Sequence, residues 1–271
     1  AINPDFAEIE ADAAVITANQ RFPIFFEEKR PFFLEGQDIF RSPFQVFYSR
    51  TIEDPDVAVK LTGKKGKTSF GILAASDNGP GGNFSDEEKM DPFIRPRIDE
   101  FIGKNAQFAI VRLKRDFGAE NNIGFFGTYR TFREQSNLLA SIDGRIKLNP
   151  KMSSQFQVIG TNSKRCFFNP QFEPTLDPGQ AATNSATCGG GTFNGVTVQG
   201  SPYNQYKVGN GLGYYFNLDY TSDLHGWFLE AGGRTKYYRA DAGFTRRVNS
   251  HFLFFYNRFS TKSKPKASIT R

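Results

Sequence analysis

The sequence predicts an all-β protein: an antiparallel transmembrane β-barrel of about ten or more strands, preceded by a non-repetitive N-terminal segment. Three observations predict it. From Asp56 onward the chain runs in stretches of about ten residues with period-two alternation, broken by turn residues. That length exceeds the ~5–6 residues usual for globular strands and suits a tilted strand crossing a bilayer. Short turns alternate with long connections, and the face opposite the apolar one carries full charges of both signs, as in outer-membrane barrels with a wet interior.

Residues 1–50 stand apart from this pattern. Ile9 to Phe40 is dense in Phe, Glu, Lys and Arg, alternates weakly, and is broken by Pro23 and Pro31, which exclude a long helix. Such a segment fits a plug filling a barrel better than strands entering one. Residues 51–271 read as the barrel itself. Val57, Val59 and Leu61 alternate with Ala58, Lys60 and Thr62, a turn follows at 63–66, and Phe70, Ile72 and Ala74 lie on the return strand. A long connection at about 77–103 contains Asn78 to Gly82 and the acidic run Asp86, Glu87, Glu88.

Ala109, Val111 and Leu113 then oppose Arg112 and Lys114. Past the turn at Asn121-Asn122, Ile123, Phe125 and Tyr129 oppose Thr128 and Arg130. Ala140, Ile142, Gly144, Ile146 and Leu148 oppose Ser141, Asp143, Arg145 and Lys147, with Phe156 and Val158 beyond the turn at Asn149-Pro150. A second long connection, about 161–207, leads to Leu212, Tyr214, Phe216, Leu218 and Tyr220, which oppose Gly213, Tyr215, Asn217 and Asp219. Trp227, Leu229 and Ala231 oppose Glu230, Arg234 and Lys236, and a last strand spans about His251 to Phe259. The count is about nine or ten strands. Single-chain bacterial barrels use an even number, so these strands also suit an incomplete part of a larger barrel.

Composition agrees with that reading. Aromatic residues make up 15% of the chain, with 30 Phe against 2 Met and 1 Trp, although the mean hydropathy of -0.48 is that of a polar protein. Phe spread along alternating strands suits a lipid-facing surface that needs no interlocking partner. No apolar run nears the ~20 residues of a membrane-spanning helix, so a bilayer crossing demands a barrel, which satisfies strand backbone groups there. The net charge of +6 is scattered rather than gathered in a stripe, which argues against nucleic acid as a partner. A soluble β-sandwich also alternates, and it is the competing reading of the pattern alone.

The inferred lumen face carries Lys60, Arg112, Lys114, Arg130, Arg145, Lys147, Arg234 and Lys236 against Asp143, Asp219 and Glu230. Basic rings favour anions, which predicts a channel or transport barrel for small polar or anionic solutes. The alternatives are a closed structural or binding barrel that displays its loops to a partner or glycan, and a soluble β-rich glycan-binding protein. Cys166 and Cys188 bracket a polar stretch and read better as a loop-stapling disulfide than as a metal site; two unpaired thiols are the alternative.

Glu27, Glu28, Glu35 and Asp38 come closest to the paired carboxylates of a glycoside hydrolase. Set among Lys29 and Arg30, they read more plainly as a salt-bridged segment. His225 and His251 have no Cys, Asp or Glu at ligand spacing. Asp86, Glu87, Glu88 and Asp91 lack the calcium-hand pattern, and Gly189 to Gly191 lacks the Lys-Ser/Thr of a phosphate loop. No enzymatic activity, catalytic residue, metal or cofactor is predicted.

Several strings resemble one family. They are Asn3-Pro4-Asp5-Phe6, Ile9-Glu10-Ala11-Asp12, the stretch Phe25 to Gly36 with Glu28, Lys29, Arg30, Pro31, Phe32, Phe33, Glu35 and Gly36 at its heart, and Asp38-Ile39-Phe40. Together they are similar to a family of uncharacterised bacterial outer-membrane β-barrel proteins. Phe47-Tyr48-Ser49-Arg50, Lys60-Leu61-Thr62-Gly63 and Ala242 to Arg247 fit as well. The resemblance is dense over residues 1–75 and sparser beyond, and Glu27 stands where the family tends to have Pro. It implies location in the bacterial outer membrane, in contact with outer-membrane lipid and lipopolysaccharide. It also implies a carbohydrate-binding module of the family-nine type ahead of the barrel, not present in these residues; that module or other envelope proteins are the implied partners. The opening Ala1-Ile2-Asn3-Pro4 is not a signal peptide, and Ser268 to Arg271 departs from the aromatic terminus common in such barrels. Both features lead to the expectation of a fragment.

Overall fold

A computed structural model describes residues 1–2, 4, 25–91, 94–99, 101–168, 191–193, 196–198 and 204–261. Its strands are β1 (Pro55–Lys65), β2 (Thr68–Asp77), β3 (Ala106–Phe117), β4 (Asn121–Phe132), β5 (Gln135–Asn149), β6 (Met152–Phe168), β7 (Gly191–Phe193), β8 (Val196–Val198), β9 (Asn204–Thr221), β10 (His225–Arg234) and β11 (Ser250–Phe259). Nine of them form one antiparallel sheet in the order β1-β2-β3-β4-β5-β6-β9-β10-β11, while β7 and β8 pair separately. Among the described residues, helix is confined to short turns such as Pro31–Leu34 and Asp86–Met90.

The all-β expectation holds, but among the described residues the sheet is not closed into a barrel: β1 and β11 are its two edges. The reason lies in direction. Each neighbour in the order is antiparallel to the last, so with nine strands the two edges run the same way and cannot share an antiparallel ladder.

The connections at one end of the sheet, 66–67, 118–120, 150–151 and 222–224, are all short, while the opposite end bears the tight 133–134 turn beside the longer 78–105, 169–203 and 235–249. The connection expected at 161–207 is shorter than the sequence suggested, because β6 continues to Phe168 and β9 begins at Asn204. Those extensions pair Thr161 with Gly211 and Ser163 with Gly209. Polar and glycine residues pair there through backbone and the Asn162–Asn210 side-chain hydrogen bond (2.7 Å), so no apolar alternation betrays them. In the tight 133–134 turn Arg133 adopts φ 53°, the left-handed region.

The two faces differ in chemistry. Register places Phe70, Leu113, Phe125, Ile142, Val158 and Tyr214 in one row across six strands, and from Leu113 to Tyr214 this row is exposed. The neighbouring row on the other face reads Lys114, Gly124, Asp143, Gln157, Tyr215 and Gly232. The outer face is apolar, while the inner face mixes polar and charged side chains with buried apolar ones such as Leu73, Ile110, Phe126 and Leu139. On the outer face, alternation leaves charges only towards strand ends, at Lys65, Arg115 and Lys164.

What covers the inner face is residues 25–52 together with 235–249. Phe33, Phe40, Phe44, Val46, Phe47 and Ile52 from the first segment, and Tyr238, Ala240 and Ala242 from the second, form one buried cluster with Leu73, Phe108, Ile110, Phe126, Leu139 and Ile159 of the strands. Phe126 is fully buried beneath Phe40. Phe126→Ala is therefore expected to cost about 3–5 kcal/mol in unfolding free energy. Val158→Ala on the outer face should change it by only about 0.5 kcal/mol, both read from denaturant titrations in detergent.

Candidate functional site

The charged inner face and the segment seated on it form the site. Its first part is local. Pro31 sits at the start of a single helical turn, and Gly36, at φ 66°, ends it; a side chain at Gly36 would meet Thr62 Oγ1 at 2.9 Å. This turn leaves Arg30 fully buried against the Phe33 ring, 4.3 Å from its centroid. Arg30 Nε and Nη2 each donate to Glu28 at 2.8 Å, while its Nη1 and Nη2 donate to Ile52 O (2.7 Å) and Ser49 O (2.9 Å). Ser49 Oγ donates to the same carboxylate at 2.5 Å. Burial alone would push the Glu28 carboxyl up, but the hydrogen bonds from Arg30 and Ser49 and the Arg30 charge together hold it below its ordinary value of 4.5.

Glu28, Arg30 and Ser49 thus clasp residues 28–52 into a compact loop. The other carboxylates singled out do not converge with Glu28. Glu27 and Glu35 are exposed, and Asp38 pairs on the surface with Arg41 at 3.1 Å. Lys29 is exposed, whereas Phe32 and Glu35 contribute backbone carbonyls.

Those carbonyls are held by the wall. Lys60 Nζ on β1 donates to Phe32 O and, at 2.6 Å, to Glu35 O. Arg112 on β3 is buried and paired through both terminal nitrogens with Asp143 on β5, and its Nε and Nη2 reach Ile39 O (3.2 Å) and Arg41 O (3.4 Å). The pair spans the intervening β4 because Gly124 stands between them; a Cβ there would lie 2.6 Å from the guanidinium. Gln157 Oε1 accepts from Phe44 N at 2.6 Å, and Arg234 lies over the Phe44 ring at 3.7 Å.

The remaining inward charges sit apart from this cluster. Arg130 covers Phe108 nearer the long-connection end. Lys147 pairs with Glu120, Asp219 accepts from Thr221, and Glu230 lies opposite Asn217 towards the short turns. Lys114 and Arg145 share the inner face with them. Lys236 departs from expectation: β10 ends at Arg234, and Lys236 is exposed in the connection, 5.5 Å from the centroid of the Tyr237 ring.

The connection 235–249 completes the site. Tyr48 N donates to Ala242 O at 2.8 Å and Phe244 N to Gln45 O at 3.0 Å, while Phe244 packs edge-on against Tyr48 and Phe25. A side chain on Gly243 would come within 2.6 Å of Gln45 O and Val46 O, so glycine allows the two backbones to touch. Asn137 of β5 ties this connection down, accepting from Asp241 N (3.0 Å) and donating to Arg239 O (3.3 Å) and Ser163 Oγ (2.8 Å). Alternation marks Asn137 and Gln157 only as inward positions. Their partners, far off in sequence, carry no signal there.

Other singled-out residues lie elsewhere. His225 and His251 are on the outer face, hydrogen-bonded to Asn257 and to the Tyr214 hydroxyl, each at 2.9 Å. Asp86, Glu87 and Glu88 form the first turn of a helix closed by a Ser85–Glu88 capping box. Cys166 pairs with Tyr206 in the β6–β9 ladder; Cys188 falls outside the described residues, and with it the expected Cys166–Cys188 bridge. Gly189 and Gly190 also lie outside them, while Gly191 opens β7.

Fold and site together define an open antiparallel wall, apolar outside and charged inside, with its own N-terminal segment bound to the charged face. Residues 1–67 match the protein family described as a domain of unknown function (DUF5916). That match gives no indication of a carbohydrate-binding module. Comparison with curated proteins and with solved structures found no match.

Arg112→Met leaves Asp143 buried without its partner, and about 3–5 kcal/mol of stability should be lost. Adding Asp143→Leu should restore most of it, which a double-mutant cycle by urea unfolding measures. For Glu28, a carboxyl held low in the folded chain contributes stability that is complete above its unfolded value and fades as pH falls through the folded one. Glu28→Gln should therefore lower the urea midpoint at pH 7, and the gap to wild type should close as pH drops well below 4.5.

Proposed function

We propose that this chain forms wall strands of a bacterial outer-membrane β-barrel, and that residues 25–52 act as a plug on the lumen side. In this reading the barrel passes small polar or anionic solutes when the plug shifts. The observation that carries the reading is the exposed apolar outer face of the sheet, set against buried charge on the other side. Leu113 (46%), Ile142 (52%) and Val158 (54%) are exposed in a contiguous row, while Arg112 (1%) and Asp143 (4%) are buried behind it. A soluble sheet buries its apolar face, and exposed apolar patches beyond a few hundred Å² mark an apolar partner.

The dimensions fit a bilayer. Leu138 to Leu148 on β5 all face out at alternate positions; ten steps of ~3.4 Å at a tilt of about 45° rise ~24 Å, near the ~25 Å of an outer-membrane apolar band. The proposed contacts of that band are outer-membrane lipid and the acyl chains of lipopolysaccharide. On the inner side Lys60, Arg112 and Arg234 are engaged by residues 32–44, which supports a plugged state over an open pore lined by free cations.

Three measurements test this. Expressed with an export signal, the chain should sediment with outer membranes and resist urea extraction; recovery in the soluble fraction without detergent would sink the proposal. Ile142→Arg, at the centre of the outer face, should cost about 2–4 kcal/mol in bilayers. Deleting 25–52 should raise single-channel conductance, whereas a silent deletion variant would leave a closed wall as the better reading.

A further inference from the structure

Of the stretch Ala242 to Arg247, the contacts with residues 44–48 engage Ala242, Gly243 and Phe244. Thr245, Arg246 and Arg247 have a different setting. They line a cavity of about 470 Å³ between the 235–249 connection and Tyr48 and Thr51 of the inner segment, at the long-connection end of the sheet. That volume lies within the ~300–1,000 Å³ of small-molecule pockets.

The lining is lopsided in charge. Arg239, Arg246 and Arg247 bring three guanidiniums to it. Asp241 is the one carboxylate among the described lining residues, and it already lies 3.6 Å from Arg165 Nη1 on β6. Burial, and then the charge of Arg165, hold the Arg239 guanidinium below its ordinary range against the opposing pull of Asp241. Positive charge is therefore in excess here. Thr245 adds a neutral polar group: its Oγ1 is buried with no hydrogen-bond partner among the described residues, a rare state for a native hydroxyl. Tyr48 and Phe244 supply a largely apolar wall, with their rings edge-on at 5.4 Å and Arg246 at 5.9 Å from the centroid of the Phe244 ring.

We propose that this cavity binds a small organic phosphate, a monoester of sugar-phosphate size. The phosphate lies against Arg239, Arg246 and Arg247, the Thr245 hydroxyl donates to one of its oxygens, and the carbon skeleton lies along Tyr48 and Phe244. Guanidinium forks recognise carboxylate and phosphate alike. Three forks around one anion select phosphate, whose three terminal oxygens accept from all of them at once, whereas a carboxylate has two. The cavity is larger than a bare phosphate ion fills, and the organic part occupies the remainder. As a site for a transported solute this rests on the channel reading. As a binding site it is measured in detergent, so failure to bind and failure to enter a bilayer are separate results.

The test is isothermal titration calorimetry of glucose 6-phosphate into the 271-residue chain in detergent micelles at fixed ionic strength. Saturable one-site binding is expected, with glucose, glucuronate and inorganic phosphate each weaker by about tenfold or more. Arg246→Met and Arg239→Lys should each weaken binding by roughly tenfold, the loss of about one charge-assisted hydrogen bond, and Thr245→Val by a smaller factor. Lys151→Met, at the short-turn end, should leave it unchanged. Arg246 is exposed, so Arg246→Met should keep the wild-type urea midpoint and report on binding alone. Absence of saturable binding overturns the proposal, as does equal binding of glucose, glucuronate or inorganic phosphate. An affinity that Arg246→Met, Arg239→Lys and Thr245→Val all leave intact overturns it too.

Discussion

Arg112 and Asp143 meet across β4 at a depth where neither touches solvent, and much of the interior is arranged around that contact. A buried guanidinium has five N–H donors to satisfy, and the carboxylate can take only some of them. The rest go to the carbonyls of Ile39 and Arg41, so the pair makes residues 39–41 part of its own hydrogen-bond shell. Gly124 provides the passage between the strands, and Phe126 and Phe40 close over the charges. An ion pair in such surroundings gains stability as its remaining donors are answered; here the inner segment answers two of them.

The same logic extends along the inner face. Lys60 answers two carbonyls of the turn that follows Pro31, Gln157 answers the amide of Phe44, and Asn137 answers three groups at once near Asp241. Side chains of the wall bind backbone of the inner segment. Such contacts read the path of the segment more than its side chains, while Phe33, Phe40, Phe44 and Phe47 fill the volume between. The Glu28–Arg30–Ser49 clasp keeps that segment folded so that its carbonyls are presented in fixed positions.

With polar groups consumed inside, apolar ones are left outside. Leu113, Phe125, Ile142 and Val158 are exposed on their face among the described residues, and a row of this kind across six strands is unfavourable in water at roughly 25 cal/mol per Å². The proposed lipid contact would remove that cost without any interlocking of side chains. An edge problem accompanies the face problem: nine antiparallel strands end on two edges of the same direction, and buried edge backbone groups need partners.

Much of the wall was legible in the sequence. Period-two alternation from Val57 to Phe259 determined the strands, the outward set Val59, Val111, Ile142 and Leu229, and the inward charges Arg112, Asp143 and Arg234, because a strand's side chains can point only two ways. The weak alternation and the prolines at 23 and 31 marked residues 1–50 as something other than wall. Tertiary structure alone decided which inward charges find partners. It paired Arg112 with Asp143 across a third strand, brought Ala242 to Arg247 onto residues 44–48 from some two hundred positions away, and moved Lys236 off the wall. It also decided that β6 and β9 continue through polar and glycine residues, which leave no apolar alternation. Alternation is a local rule with a sequence signature; partnership across the sheet and over its inner face depends on register and path, which leave none.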